Sequence, residues 1–204
     1  MDVSTLVDEL ESDRQTELSR LGSSKALYAD TGGQLDPDRV LGALADETHH
    51  VAATLRAWAG ETDPAGVFAD GAARLDGQHD TLADELADDE PGEMPALVDA
   101  LADADGPVAR LGALVGWVLV VDRKASQVTG FFTGQADPGT ASLIRDFGED
   151  YDAIREGALA ALSDRSDDGA RETAQSAAGH VIQAAYDDYV ETLESMGINP
   201  KPVC

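Results

Sequence analysis

Several acids and histidines in this sequence have types and spacings that suit metal chemistry. In "ALADETHHVAATLRAWA", residues 43–59, Glu47 and His50 stand three apart. An acid-x-x-His pair offers one metal ion a carboxylate and an imidazole from a single helix. "DGQH", residues 76–79, repeats the arrangement with Asp76 and His79. Asp122 lies in an otherwise apolar run. A carboxylate buried there needs a metal or an arginine, because an unpaired buried charge is costly. Carboxylates with one imidazole suit iron, manganese or zinc acting as a Lewis acid or reacting with oxygen.

Helical phase, at about 100° per residue, decides which of these groups can meet. Leu41, Leu44, Thr48, Val51, Leu55 and Trp58 form one apolar stripe, with Glu47 at its border and His50 turned away. Phe68, Ala72, Leu75, His79, Leu82 and Leu86 form the next, so His79 faces inward and Asp76 sits on the adjoining row. Leu111, Val115, Val118, Asp122, Ala125 and Phe132 make a third seam, which places Asp122 in the core register. On a fourth, Ile144, Phe147, Tyr151, Ile154 and Ala158, Arg155 lies close to the centre. His180 points outward from the last stripe, and Trp58, Trp117, Phe131, Phe132 and Tyr151 read as core fillers.

The elements that must position these residues are all helical, and no stretch alternates as a strand does. A first segment spans roughly 2–28, although Gly22-Ser-Ser-Lys25 interrupts its pattern. Helices follow over about 37–60, 65–88, 94–103, 107–133, 139–163 and 168–196, several behind an Asp-Pro start signal; Asp36 can cap the first of these with Pro37 at its opening position. This predicts an all-α antiparallel bundle forming one domain over residues 1–196, its core about 37–163, with additional N- and C-terminal helices and an extended tail, 197–204.

From Glu47 to Arg155 the chain resembles the ferritin-like superfamily, and rubrerythrins in particular. "ADETHHVAATLRAWAGETDPAGVFADGAARLDGQHDTL" is similar to the first helix pair of a rubrerythrin: a carboxylate, an aromatic-alanine run, a short turn, a phenylalanine, then acid-x-x-His and leucine. The resemblance implies a ferritin-like four-helix bundle. Glu47 would be the single carboxylate of one helix, Asp76 and His79 the pair of the next, and Asp122 the single carboxylate of the second hairpin. The second acid-x-x-His of the family falls on Arg155 to Ala158 here, which supplies neither acid nor histidine. The reduced set implied is Glu47, Asp76 and His79 around one iron, manganese or zinc, with Arg155 crossing the bundle to Asp122. Two functions follow as expectations: a reduced metal site in iron or peroxide handling, or a metal-free binding or regulatory bundle, for example one associated with transcription. No cysteine-rich module for electron delivery is present in the sequence.

The balance of 40 acids against 14 bases gives a formal charge of -26, yet 43% of the residues are apolar and recur at helical spacing, so disorder is a poor explanation. Acid-rich and lysine-poor, with Lys25, Lys124 and Lys201 its only lysines, the chain reads as a cytoplasmic protein of a salt-accumulating, halophilic archaeal cell. There the Debye length of about 3 Å screens its self-repulsion. The charge opposes direct binding to nucleic acid, and the apolar run "LGALVGWVLVV" is too short to span a membrane. A homodimer through a helix face and a protein partner are both open. Cys204, the single cysteine, excludes an internal disulfide. Two stretches fall outside this scheme: "LSRLGSSKALYADTGG", residues 18–33, less acidic than its surroundings, and the tail "MGINPKPVC".

Overall fold

The computed structural model describes residues 5–61, 63–86, 92–165 and 169–200, and within them every regular element is an α-helix. In chain order they are α1 (Leu6–Asp13), α2 (Gln15–Leu21), α3 (Ser24–Asp30), α4 (Pro37–Glu61), α5 (Ala65–Glu85), α6 (Ala96–Ala102), α7 (Pro107–Gly134), α8 (Pro138–Ser163) and α9 (Ala170–Ser195). Pro37, Pro107 and Pro138 each open a long helix, where proline's fixed φ is already helical and its missing N–H would have had no partner. Asp36 accepts a hydrogen bond from the Arg39 N–H at 3.1 Å, and Asp137 accepts one from the Thr140 N–H at 3.1 Å, so the Asp-Pro signal works as a cap. The N-terminal segment is not continuous. It breaks at Arg14 and at Gly22–Ser23 into three short helices laid against α7 and α9.

Side-chain pairs give the helix directions. On the α4–α5 hairpin Trp58 meets Phe68 with ring centroids 5.2 Å apart and His49 meets His79 at 5.0 Å, so partners separate as the chain returns. Arg74 of α5 bonds Asp150 of α8 at 2.7 Å, while Gly157 of α8 faces Val67 of α5. That pair is antiparallel as well. α7 and α8 form a second hairpin, with Trp117 edge-on to Tyr151. The four helices make a ring, α4–α5–α8–α7, in which neighbours run oppositely. α5 and α7 therefore run the same way, and the connection between them, carrying α6, has to travel back along the bundle.

α9 lies outside this ring, along α7 and parallel to it. Gly112 and Gly116 let the backbones touch: a Cβ on Gly116 would lie 2.5 Å from the Ala178 carbonyl oxygen, and one on Gly112 would strike the Ala174 backbone. Flanked on so many sides, α7 buries every residue from Leu111 to Val121. No helix among the described residues is long and apolar enough to cross a membrane.

Candidate functional site

The polar centre of the bundle is a carboxylate–ammonium pair between α4 and α7. Glu47, expected at the border of its stripe, is 3% exposed. One of its carboxylate oxygens accepts the indole N–H of Trp117 at 2.9 Å, and the other accepts from Lys124 Nζ at 3.1 Å. Lys124 also donates to Asp30 Oδ1 at 3.2 Å, which brings the end of α3 into the cluster. Burial alone would lower the Lys124 pKa, but the Asp30 and Glu47 charges outweigh it and hold the ammonium above the ordinary lysine range. Burial instead raises the Asp30 carboxyl despite Lys124, and the Glu47 charge adds to that rise. An open cleft of about 320 Å³ adjoins the cluster, lined by Asp30, Glu47, Lys124, Asp188 and Met94 among others.

This chemistry is that of a neutralised pair. A lysine serves as nucleophile or base when its pKa is lowered, whereas Lys124 is held protonated. Glu47 has both oxygens committed to donors.

The other sequence-predicted residues lie elsewhere. Asp122 is exposed, contrary to its expected place in the core. The reason is that α7 is apolar on nearly all sides, so its stripe has no phase to read, and Lys124 is the polar side chain that enters. Arg155 does not cross the bundle to Asp122; it pairs with Asp152 on its own helix. In α5 the inward polar residue is Gln78, 2% exposed and donating to Asp150 at 3.1 Å. This leaves Asp76 at the surface on Arg56, at 3.4 Å. His79 is half-buried against His49, and His49 also meets His50 edge-on at 5.3 Å. His50 does turn outward, with its Nε2 at 3.0 Å from the Gly92 carbonyl, and His180 is exposed. Burial lowers the His49 pKa, with the His79 and His50 rings adding to the effect.

Glu47 is thus committed to Trp117 and Lys124 and Asp76 to Arg56, while His79 packs on His49 and Asp122 is exposed. Among the described residues no group of three or more His, Cys, Asp or Glu side chains is arranged to hold a metal ion. Two buried polar atoms near the centre have no partner, Tyr151 Oη and Gln78 Oε1. Asp30 and Gln78 escaped the sequence reading, and Lys124, which it offers beside Arg155 as an ion-pair partner for Asp122, pairs with Glu47 and Asp30 instead. The available signal was a lysine inside an apolar helix of a chain with only three lysines.

Tail residues up to Pro200 fold back onto the N-terminal helices instead of extending freely: Tyr189 Oη and Arg20 Nη1 donate to the Pro200 carbonyl at 2.9 and 2.8 Å. Cys204 lies outside the described residues. Comparison of the chain with protein-family models, with curated proteins and with solved structures returns no match.

Proposed function

We propose that this chain is a ferritin-like bundle in which the Glu47–Lys124 pair stands in place of a metal centre, and that it works as a binding or regulatory protein rather than in iron or peroxide handling. The observation carrying this reading is that Glu47, the one acid among the described residues that is deeply buried, spends both oxygens on protein donors, Trp117 and Lys124. A cation on a side chain supplies the charge that a metal would otherwise supply. The path of the chain supports the superfamily reading: two hairpins joined by one long crossover is the ferritin-like connectivity. The surface charge of -26 fits a cytoplasm that accumulates salt, where screening makes it tolerable.

Metal analysis of untagged protein purified in molar KCl tests the proposal. The expected content is below about 0.1 iron, manganese or zinc per chain, since a site that folds around its metal would retain it stoichiometrically. Near-stoichiometric metal that disappears in both Glu47→Gln and His79→Ala would overturn it and restore the iron or peroxide reading.

A further inference from the structure

Three of the chain's four histidines, His49, His50 and His79, meet on the α4–α5 hairpin, and the Glu47–Lys124 centre uses none of them. His49 stands 5.0 Å from His79, centroid to centroid, across the two helices. That separation has a chemical meaning. With metal–nitrogen bonds of about 2.0–2.1 Å and each nitrogen about 1.1 Å from its ring centre, two imidazoles on one tetrahedral ion have centroids about 5.2 Å apart. The backbone under each ring is held, because Thr48 and Gln78, the residues just before them, are buried in the bundle. The rings themselves are half-buried, so a cation can reach them from solvent. Burial, and then the His79 and His50 rings, lower the His49 pKa and keep it in the neutral form that ligates.

We propose that His49 and His79 chelate a divalent cation of the zinc or nickel class at the surface of this hairpin. Imidazole suits such borderline ions, whereas magnesium and calcium prefer oxygen ligands. Ligation takes one nitrogen of each ring and leaves the second for a hydrogen bond, the usual state of a ligating histidine. His50 adjoins the pair without being assigned to it, since its Nε2 lies 3.0 Å from the Gly92 carbonyl oxygen and fastens that segment to α4. Arg56 and Asp76 both act on His49, and they pair with each other at 3.4 Å, so the one cation that would repel a metal is offset. No third His, Cys, Asp or Glu among the described residues completes the set. Water therefore fills the remaining positions, which makes the ion exchangeable. While bound, it ties α4 to α5. This inference is independent of what the Glu47–Lys124 centre does, because an exchangeable ion is lost on purification and does not raise the metal content expected there.

The test is isothermal titration of the full chain in 2 M KCl at pH 7.5 with NiCl2, ZnCl2 and MgCl2 as probes, in a Cys204→Ser background that removes the thiol as a competing ligand. Nickel and zinc are each expected to bind at one ion per chain with a Kd of about 10–100 µM, and magnesium to show no binding up to about 10 mM. His49→Gln and His79→Gln should each weaken nickel at least about tenfold, while His180→Gln, at an exposed position on α9, should leave it unchanged. Stability gives a second reading. Nickel at about 1 mM should raise the melting temperature of the parent protein but not of His49→Gln or His79→Gln, since an ion bound only to the fold stabilises it. Binding that survives in a folded Glu47→Gln belongs to the histidine pair; its loss there would assign the ion to the bundle centre and overturn the inference. Magnesium binding as tightly as nickel would assign it to surface carboxylates, with the same result. No nickel binding below about 1 mM, or equal nickel affinity in the parent and in a folded His49→Gln, overturns it as well.

Discussion

Replacing Lys124 by methionine tests the bundle centre most directly, because methionine keeps most of the chain length and removes only the ammonium. In the wild type that ammonium lies 3.1 Å from Glu47 and 3.2 Å from Asp30, with only 13% of its side chain exposed. At an effective dielectric of about 20 the attraction to Glu47 alone is about 5 kcal/mol before desolvation is subtracted. The measured cost of removing one partner from a buried pair is about 3–5 kcal/mol, most of it the charge left behind. Asp30, a quarter exposed, adds a second attraction that water partly screens. We therefore expect Lys124→Met to lose about 3–5 kcal/mol, seen in 2 M KCl as a urea midpoint lower by about 1–3 M. A second substitution distinguishes this cause from simple repacking. The Lys124 pKa is raised in the fold, so its contribution is fully present below the unfolded value of about 10.4 and is lost only as pH rises through the folded one. At pH 8 the wild-type ammonium is therefore charged, and Glu47→Gln in the Lys124→Met background should restore part of the loss because it removes the stranded carboxylate. A gap between the two proteins under about 1 kcal/mol at pH 8, or no restoration by Glu47→Gln, would refute the reasoning.

Further predictions concern the elements around that centre. Gly116→Ala should separate α7 from α9 and lower stability by about 1–3 kcal/mol, whereas Gly130→Ala, on the same helix with open space at its Cβ, should raise it by up to about 1 kcal/mol; thermal melts of the pair decide, and equal effects would rule out the close crossing. Tyr151→Phe should be neutral or stabilising by about 1 kcal/mol, because it deletes a buried hydroxyl that has no partner; a loss in urea titration would mean the hydroxyl is satisfied by water or a ligand. The His49 pKa is lowered in the fold, so the unfolded chain takes up the proton more readily: stability should be full above about pH 6.5 and fall below it, and His49→Gln should flatten that slope in melts from pH 7.5 to 5.5.

The helices were legible where an Asp-Pro or Gly-Pro pair marks the start, as in α4, α7 and α8, and where a stripe keeps a clear period, as in α4 and α8. α4 and α8 are amphipathic, and the residues expected inside, Leu44, Val51, Leu55, Ile144, Phe147, Tyr151 and Ile154, are buried. The site was less legible where that periodicity fails. α7 buries eleven consecutive residues, so no angle separates Asp122 from Lys124 by pattern alone, and the rotation was settled by α9, whose contact through Gly112 and Gly116 a search for stripes does not detect. In α5 the shift is smaller: Gly71 faces Leu55, with its added Cβ at 3.0 Å, and this approach turns Gln78 inward and His79 to the edge. A glycine has no hydropathy to mark a face. Pairing partners were invisible for another reason. Arg155 had acids on its own helix within reach, and Asp152, three residues before it, wins over a residue that must be reached across the bundle.

Why a buried ion pair persists in this core is a question of specificity. Matched hydrophobic residues would fill the same space at no desolvation cost and are often more stabilising than a buried pair. α4 and α7, however, touch far less than α4 and α5 or α7 and α8 do, so apolar packing alone does little to fix their register. Glu47 spans that weak seam and meets two positions on α7, Trp117 and Lys124, about two helical turns apart. Sliding α7 by one turn would break both contacts at once and strand a carboxylate and an ammonium in the core. Apolar substitutes would tolerate the slide. The double variant Glu47→Leu with Lys124→Met should therefore be as stable as the wild type, or more so, but show broadened or doubled amide resonances from α7. Sharp, single resonances together with raised stability would mean that the α7–α9 contact fixes the register without help from the pair.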